Sequence, residues 1–354
     1  MKISIGTNIK DGPWGGGNLF AKNLKNYLLK NGHKVVHDLH DEDIDIILIT
    51  EPRKASESSA FTSKDVENYL KFKKFETIVV HRINECDERK NTNYVNKYLI
   101  NSNLISDATV FVSDWLKNLY INQGLRCNKI ITIMSGSDKN IFNPTNYQPW
   151  NRTEKIKIVT HHWGANWNKG FDIYLKLDQL LDEEFWHNKI VFSYIGNLPS
   201  NYKFKNMKYF SAKSGYELAN ELKKNHIYLT ASINEPSGNH HIEAAQCGLP
   251  ILYIDSGGIP EYCNGYGVKF NSNNFESKLL EIIENYDYHL KNIKDYKYNS
   301  DNMCKEYMNL FEILYAEKSR IFKNRKILFN VNKINKYFFN LSNKIKKLHP
   351  FKYV

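Results

Sequence analysis

The sequence predicts an α/β protein built from two consecutive Rossmann-like domains that face each other across a cleft. Short apolar runs that suit buried strands alternate with helical patterns, which is typical of right-handed βαβ units around a parallel sheet. This alternation pauses at a stretch with two prolines, residues 142–152, and then starts again. A length of 354 residues is sufficient for two domains that each bury a core.

The first half of the chain contains a glycine loop and a candidate histidine. Gly15, Gly16 and Gly17 follow the first strand and open a helix, which suits a close approach of the backbone to a phosphate or an acceptor. His81 ends the third strand, and Ser113 caps a helix after the fourth. The predicted strands are Lys2–Gly6, Ile44–Thr50, Thr77–Val80, Ala108–Val112 and Lys129–Met134.

The second half contains Lys169 after its first strand and Glu235 after its third. Ligands of parallel sheets bind beyond the carboxyl ends of the strands. We therefore expect the glycine loop, His81, Lys169 and Glu235 to face one interdomain cleft. The predicted strands are Lys155–Thr160, Lys189–Gly196, His226–Ala231 and Pro250–Ile254, and the predicted helices are Phe171–Leu181, Tyr216–Lys224 and one that begins near Asn239.

Charge separates the body of the chain from its end. The net charge is +11, and residues 318–354 hold eleven Lys or Arg and no Asp or Glu, so residues 1–317 are neutral overall. We divide the chain into a first Rossmann-like domain (1–147), a second (148–300), a returning helix (301–317) and a basic helical tail.

The basic tail also carries an apolar stripe at helical spacing, and three interpretations are open. A helix packed on the body would be purely structural. Nucleic-acid binding would need an aromatic or groove-reading motif, which the tail lacks. A helix on an anionic membrane surface fits both the lysines and the stripe, and we favour it. The stripe consists of Val331, Ile334, Phe338, Leu341, Ile345 and Leu348.

Other features of the sequence point to the cytoplasm. No apolar run reaches about 18 residues, so no transmembrane helix is expected, and the first residues are too short and strand-like for a signal peptide. The five cysteines are scattered without a CxxC pair, which indicates a reducing compartment. We expect a cytoplasmic protein that is peripheral to the inner face of the cell membrane.

The most informative motif is a pair of glutamates, Glu235 and Glu243, with seven residues between them. A helix that begins near Asn239 places Glu243 in its first turns and Glu235 in the loop before its N-terminus. Unpaired N–H groups and the helix dipole at that end suit a diphosphate. A glutamate on each side can then hold hydroxyls of the groups that the diphosphate joins. The alternative is that the acidic residues only cap the helix.

The segment around the two glutamates resembles the donor site of retaining glycosyltransferases of family 4, which have the GT-B fold. The signature continues in Gly248-Leu-Pro250 and Gly257-Gly-Ile-Pro-Glu261. The resemblance implies transfer of a sugar from a nucleotide-diphosphate sugar to an acceptor hydroxyl, with retention of configuration. Together with the basic tail, it further implies synthesis of a bacterial surface polysaccharide or lipopolysaccharide, on a glycan or lipid-linked glycan acceptor. It also covers the glycine loop, Ile133–Pro144 and Asn168–Asp172.

The resemblance also implies roles for individual residues. Glu243 should bind the ribose hydroxyls, Glu235 hydroxyls of the transferred sugar, and Lys169 the diphosphate. In the family, a histidine near the position of His81 contacts the sugar at the reacting centre. Further donor contacts are expected from Gly16, Gly17, Ser237, Gly238, Asn239 and His240, and Glu51 and Asp87 are weaker candidates for the acceptor side.

The chain departs from the family at the diphosphate. The family usually pairs the lysine with an arginine about six residues earlier, but no arginine lies between His161 and Lys169. The second cation that would bind the diphosphate is therefore not identified. Arg82, from the first domain, and His162 are the candidates that we consider.

No metal or cofactor is expected, because in the family the departing phosphate oxygen itself takes the acceptor proton. Asp43-Ile-Asp45 is formally a DxD motif, but it opens a strand at the end opposite the ligands. Adjacent His240 and His241 should point about 100° apart on a helix and not converge on a metal. The glycine loop lacks the GxGxxG pattern of a nicotinamide site.

Two rival functions are weighed beside the transferase. One is a sugar-nucleotide epimerase or phosphorylase on the same fold, which would turn over nucleotide sugars without an acceptor. The other is a scaffold or nucleic-acid-binding protein that acts through the basic tail. The sequence does not reveal the sugar, the base, the acceptor or the oligomeric state.

Overall fold

The structure is a computed structural model that describes residues 1–10 and 15–325 of the chain. Its first domain begins with a strand and alternates strands with helices. In chain order the elements are β1 (Lys2–Ile5), α1 (Gly16–Lys30), β2 (Lys34–Val36), β3 (Ile46–Ile49), α2 (Ser63–Phe72), β4 (Ile78–Ile83), α3 (Asp87–Lys90), α4 (Val95–Asn103), β5 (Ala108–Phe111), α5 (Asp114–Asn122) and β6 (Lys129–Thr132).

The second domain repeats this alternation after a connecting segment, and a 3₁₀ turn precedes its first helix. Its elements are β7 (Ile156–His162), the 3₁₀ turn (Trp167–Lys169), α6 (Phe171–Leu180), α7 (Glu184–Lys189), β8 (Ile190–Gly196), β9 (Lys208–Phe210), α8 (Gly215–Leu222), β10 (Ile227–Thr230), α9 (Asn239–Gln246), β11 (Ile251–Ile254), α10 (Ile259–Cys263), β12 (Gly267–Phe270), α11 (Phe275–Glu284) and α12 (Tyr286–Ile293), followed by α13 (Ser300–Ala316) and α14 (Lys318–Asn324).

Each domain is built around a parallel sheet of six strands. The strand order is β2-β1-β3-β4-β5-β6 in the first sheet and β12-β11-β10-β7-β8-β9 in the second. Because all the strands of a sheet run the same way, their carboxyl ends lie along one edge, where ligands of such sheets bind. The two-domain α/β fold predicted from the sequence is confirmed.

The central strand β3 shows why the strands of these sheets are continuous apolar runs in the sequence. Its Ile46 and Leu48 pack in one core cluster with residues of α1 and α13, whereas Ile47 and Ile49 pack in another cluster with residues of α2. All four residues are fully buried. A parallel strand that is covered on both faces therefore needs apolar residues at every position.

Helix α13 carries the chain back onto the first domain. The backbone N–H of Ser300 donates to the carbonyl oxygen of Ser137 at 2.8 Å. Gly136 permits this crossing, because a Cβ there would lie 2.1 Å from the carbonyl carbon of Asn299. Further along α13, the ring of Tyr307 meets that of Phe20 in α1 edge-on, with centroids 5.1 Å apart.

The first residues of the predicted basic tail belong to the body of the protein. They form α14, which is followed directly by a buried arginine, Arg325. Arg325 Nη2 lies 2.6 Å from Asp107 Oδ2 and donates to the carbonyl oxygen of Thr77 at 2.7 Å. The apolar stripe that begins at Val331 lies outside the described residues. Among the helices of the described part of the chain, none is long and apolar enough to cross a membrane.

Candidate active site

Glu235 lies in a loop at the carboxyl edge of the second sheet, between β10 and α9. Its backbone is fixed by the glycine pair at 257 and 258, since Gly258 N–H donates to Glu235 O at 2.9 Å. Gly257 has a φ of +63°, and a Cβ there would lie 2.5 Å from the Glu235 carbonyl oxygen. Only glycine fits at this position, so the Gly-Gly pair after β11 holds the loop.

The Glu235 carboxylate is buried between two cations. Its side chain is 5% exposed, with Oε2 2.6 Å from Lys169 Nζ and Oε1 3.0 Å from Arg89 Nε. Burial alone would raise the pKa of Glu235, but Arg89 and Lys169 outweigh it and lower the pKa to about 2. The carboxylate is therefore ionised at neutral pH and neutralises one of the two positive charges.

Lys169 is positioned by the 3₁₀ turn and by Gly170. Gly170 has a φ of +99°, and a Cβ on it would lie 2.5 Å from the Cβ of Ala231. This left-handed turn lets the chain enter α6 while Lys169 points at the loop after β10. The burial of Lys169 lowers the pKa of its ammonium, which Glu235 partly offsets.

Arg89 comes from the first domain, and the sequence analysis did not single it out. It lies in the short helix α3, whose backbone is tied to the second domain at two places. Asn168 Nδ2 donates to Arg89 O at 3.1 Å, and Asn234 Nδ2 donates to Glu88 O at 3.2 Å. The only local sign in the sequence is a run of charged residues after a predicted strand.

Neither of the two cations that we considered from the sequence pairs with Glu235. Arg82 lies within β4, is 5% exposed, and has its guanidinium 4.1 Å above the ring of Phe20. His162 lies within β7, with Nε2 2.6 Å from the hydroxyl of Tyr174. Burial lowers the pKa of His162 far below its usual value, so its ring is neutral at pH 7.

His81 lies inside a strand and not at its end. β4 continues to Ile83, and the fully buried His81 ring has Nδ1 3.0 Å from Asn103 Oδ1. Burial lowers the pKa of His81 to about 4. The ring is thus neutral and faces α4. The strand is three residues longer than its apolar pattern, and the other ring nitrogen, Nε2, is buried without a hydrogen-bond partner among the described residues. The sugar contact of His81 stays a prediction.

Glu243 lies in the second turn of α9, as the sequence predicts, and it has a partner that the sequence did not reveal. Its Oε2 lies 2.9 Å from His161 Nε2, and both side chains are less than 10% exposed. His161 comes from the carboxyl end of β7, and its backbone N–H donates to the hydroxyl oxygen of Tyr228 at 3.2 Å. Among the described residues, His161 contacts Oε2 of this carboxylate and not Oε1.

Two adjacent histidines at the start of α9 are buried under the same loop. His240 Nε2 lies 2.9 Å from Thr230 Oγ1, whereas neither ring nitrogen of His241 has a hydrogen-bond partner among the described residues. The two rings meet edge-on with centroids 4.9 Å apart, so they lie closer together than a helical wheel predicts. Burial lowers the pKa of His241 to about 3, which leaves it neutral.

Two helix N-termini meet at this site. Gly16 begins α1, and a Cβ on it would lie 3.0 Å from the side-chain nitrogen of Asn239, the first residue of α9. Neither helix has an acidic residue in its first turn or a side-chain cap. Ser237 and Gly238 form the turn into α9, and a Cβ on Gly17 would meet nothing within 4 Å. The cleft between the domains therefore presents two uncapped, partially positive helix ends.

The domains are also joined by Glu261, the last residue of the glycine-containing segment. Its Oε2 accepts from Asp114 N–H at 2.7 Å and its Oε1 from Trp115 N–H at 2.6 Å. A glutamate of the second domain thus caps α5 of the first. In the same segment, Tyr262 accepts a hydrogen bond from Ser135 N–H at 2.8 Å.

The remaining candidates of the sequence analysis have structural partners. Glu51 pairs with Arg53, which also contacts the buried Glu85. Asp87 accepts hydrogen bonds from the backbone N–H groups of Val95 and Asn96 at 2.9 Å each, and so caps α4. Asp43 and Asp45, at the opposite end of β3, contact Lys2.

Comparisons with known proteins agree with this geometry. Residues 146–300 match the family of glycosyl transferases group 1. A glycosyltransferase from Rickettsia africae has a TM-score of 0.64 at 15% identity, over 91% of this chain and 99% of that one. HepE of Anabaena in complex with UDP-glucose has a TM-score of 0.63 at 13% identity, over 89% of this chain and 100% of that one. Sucrose-phosphate synthase from Thermosynechococcus elongatus has a TM-score of 0.61 at 12% identity, over 89% and 99%.

The search of curated protein sequences found no match. The family match covers the domain that holds Lys169, Glu235 and Glu243, and the structural similarity extends over both domains. Residues 146–300 are thus similar to the glycosyl transferases of group 1, and the two domains together have the GT-B fold.

Proposed function

We propose that the protein transfers a sugar from a nucleotide-diphosphate sugar to an acceptor hydroxyl, with retention of anomeric configuration and without a metal ion. One observation carries the proposal. Glu235 lies between Lys169 and Arg89 in a cleft where the uncapped N-termini of α1 and α9 face each other. Two cations and two helix ends around one carboxylate leave an excess of positive charge, which suits a diphosphate.

The donor would lie with its diphosphate at the start of α9. There the backbone N–H groups of Ser237, Gly238 and Asn239 are the candidates for phosphate contacts. Glu243, oriented by its 2.9 Å contact with His161, would hold the ribose hydroxyls. Glu235 would exchange its cations for hydroxyls of the transferred sugar when the phosphates enter.

The proposed chemistry depends on the leaving group more than on a strong base. The bond between the anomeric carbon and the diphosphate oxygen breaks, and a bond to the acceptor oxygen forms on the same face of the sugar. The acceptor proton moves to the departing phosphate oxygen. Lys169 and the N-terminus of α9 would stabilise the negative charge that develops on the diphosphate, in a site that is already organised for it.

The first experiment is a screen of nucleotide sugars for hydrolysis and binding, with UDP-sugars first because HepE was solved with UDP-glucose. Lys169→Ala should lower donor turnover by at least about 100-fold, since charge stabilisation of this kind contributes several kcal/mol. The matched control is Lys203→Ala, an exposed lysine of the same domain. Full turnover in Lys169→Ala would contradict the assignment.

The same screen separates the rival activities. An epimerase or phosphorylase would change the nucleotide sugar without an acceptor, whereas a transferase releases nucleoside diphosphate in proportion to glycosylated product. The anomeric configuration of that product tests retention. A scaffold or nucleic-acid-binding protein would keep its binding in Lys169→Ala and lose it when residues 326–354 are deleted.

The acceptor and the location are proposed from the family and the charge. Residues 326–354 hold seven Lys and no acidic residue, and each lysine near an anionic surface contributes about 1 kcal/mol to binding. We place the enzyme at the inner face of the cell membrane, where it would extend a lipid-linked or surface glycan. Deletion of 326–354 should abolish sedimentation with anionic liposomes and leave donor hydrolysis unchanged.

A further inference from the structure

We infer that Arg89 is the second cation of the donor diphosphate, supplied across the cleft by the first domain. This inference rests on the proposed function and deepens it. In the structure, Arg89 contacts Glu235. When the diphosphate enters, the guanidinium passes from the carboxylate to the phosphate oxygens, while Glu235 turns to the sugar.

The first support is the charge around Glu235. Lys169 and Arg89 contact different oxygens of this one carboxylate, at 2.6 and 3.0 Å. Their side chains are 10% and 29% exposed, so neither charge is well solvated. Glu235 raises the pKa of Arg89, which keeps it charged. A guanidinium has five N–H donors in a planar fork that matches phosphate oxygens, and its contact with Glu235 is through Nε.

The second support is that the backbone of α3 fixes Arg89 at this place. The side-chain amides of Asn168 and Asn234 bind the carbonyl oxygens of Arg89 and Glu88. The two asparagines directly precede Lys169 and Glu235 in sequence. The neighbouring Lys90 pairs with Glu85 of its own domain, so Arg89 is the α3 cation that points at the donor loop.

The third support is that, in the described part of the chain, neither of the other candidates pairs with Glu235. Arg82 is stacked on Phe20, and His162 is neutral and bonded to Tyr174. The position six residues before Lys169 is Trp163, which is 53% exposed and carries no charge. Within the described residues, Arg89 is therefore the cation that joins Lys169 at Glu235.

The test measures binding of UDP, GDP and ADP, and of the matching nucleosides, by titration calorimetry. Arg89→Ala should weaken the best-binding diphosphate by at least about 10-fold, the equivalent of one charge-assisted hydrogen bond. The nucleoside should change less than about 2-fold. Arg89→Lys should recover part of the loss, because it restores the charge without the planar fork. Lys90→Ala, one residue away, is the matched control and should change diphosphate binding less than about 2-fold.

A role limited to positioning Glu235 is tested by a second pair of variants. In the background of Glu235→Gln, Arg89→Ala should still weaken diphosphate binding by about 10-fold. No effect in that background would overturn the inference, and so would an equal loss for diphosphate and nucleoside. Lys169→Ala separates the two proposals. If it weakens diphosphate binding and Arg89→Ala does not, only the assignment of Arg89 fails, whereas a wild type that binds none of the diphosphates contradicts the proposed function itself.

Discussion

The glutamine variant of Glu235 tests the charge balance of the cleft. Glu235→Gln keeps the shape of the side chain and removes the one negative charge between Lys169 and Arg89. In the wild type, folding lowers the pKa of Glu235 from an ordinary 4.5 to about 2. Each pKa unit is worth about 1.4 kcal/mol, so the ionised carboxylate contributes on the order of 3 kcal/mol to folding at pH 7. We expect the variant to be destabilised by about that amount.

The lowered pKa of Glu235 also determines how the free energy of unfolding changes with pH. Because the pKa is lowered on folding, the contribution is fully present above pH 4.5 and is lost as the pH falls toward 2. At pH 3.5 the unfolded carboxyl is mostly protonated and the folded one is not, so about 1.4 kcal/mol of the contribution has gone. The stability gap between wild type and Glu235→Gln should narrow by that amount between pH 7 and pH 3.5.

The assay is urea unfolding followed by tryptophan fluorescence at both pH values. Glu67→Gln is the control, because Glu67 forms an exposed pair with Lys64 at 2.8 Å, and such pairs contribute less than about 0.5 kcal/mol. UDP should bind Glu235→Gln as tightly as wild type or more tightly, since the phosphates no longer compete with the carboxylate. The reasoning is refuted if the difference in unfolding free energy between wild type and Glu235→Gln stays constant or widens toward pH 3.5.

Three further predictions concern the loop, the domain contact and the start of the tail. Gly238→Ala should abolish diphosphate binding in calorimetry, because the new Cβ would lie 2.7 Å from the His240 ring. The control is Gly32→Ala, which has a similar φ but open space around it. It should lower the free energy of unfolding by only about 1 kcal/mol in thermal unfolding. Glu261→Ala should lower stability by about 1–2 kcal/mol and increase the radius of gyration in small-angle scattering, because α5 loses its cap from the other domain; an unchanged radius would contradict the clamp. Arg325→Ala should cost about 3–5 kcal/mol in urea unfolding, because it leaves a buried carboxylate unpaired, whereas the exposed Arg320→Ala should cost less than about 1 kcal/mol.

The start of α9 and the spacing of its glutamates were predictable from the sequence because local chemistry determines them. Pro236, Ser237 and Gly238 cannot continue a regular element, so a helix has to begin after them, and it begins at Asn239. The strand around Ile44–Thr50 was predictable for the same reason, since burial on both faces requires an uninterrupted apolar run.

The placement of His81 could not be predicted, because tertiary partners extend its strand past the apolar run. β4 continues through His81 and Arg82, two residues that end most buried strands. Asn103 satisfies one ring nitrogen of the histidine, and Phe20 covers the guanidinium. Both partners lie on helices distant in sequence, and no periodicity near the strand indicates them.

Arg89 was missed for a related reason. It lies 146 residues before Glu235 in the chain, in a helix of four residues too short to show any period. Its position depends on how the two domains meet. The sequence did indicate a need for such a residue, because the segment before Lys169 lacks the arginine that is usual in the family it resembles. A missing charge in a motif can thus direct attention to the opposite domain.

The two interdomain glutamates have opposite consequences for donor binding. Glu261 caps α5 through two backbone N–H groups that no phosphate needs, so this contact can persist throughout the reaction. In the proposed reaction the contact of Glu235 with Arg89 is exchanged, because the phosphates and the carboxylate would compete for the same cation. If the Arg89 guanidinium moves from Glu235 to the donor phosphates, its ion pair with Glu235 is replaced by an ion pair with the diphosphate. Donor binding would then preserve the closed cleft, and loss of the diphosphate after transfer would return Arg89 to Glu235 while the Glu261 contact holds the domains in register.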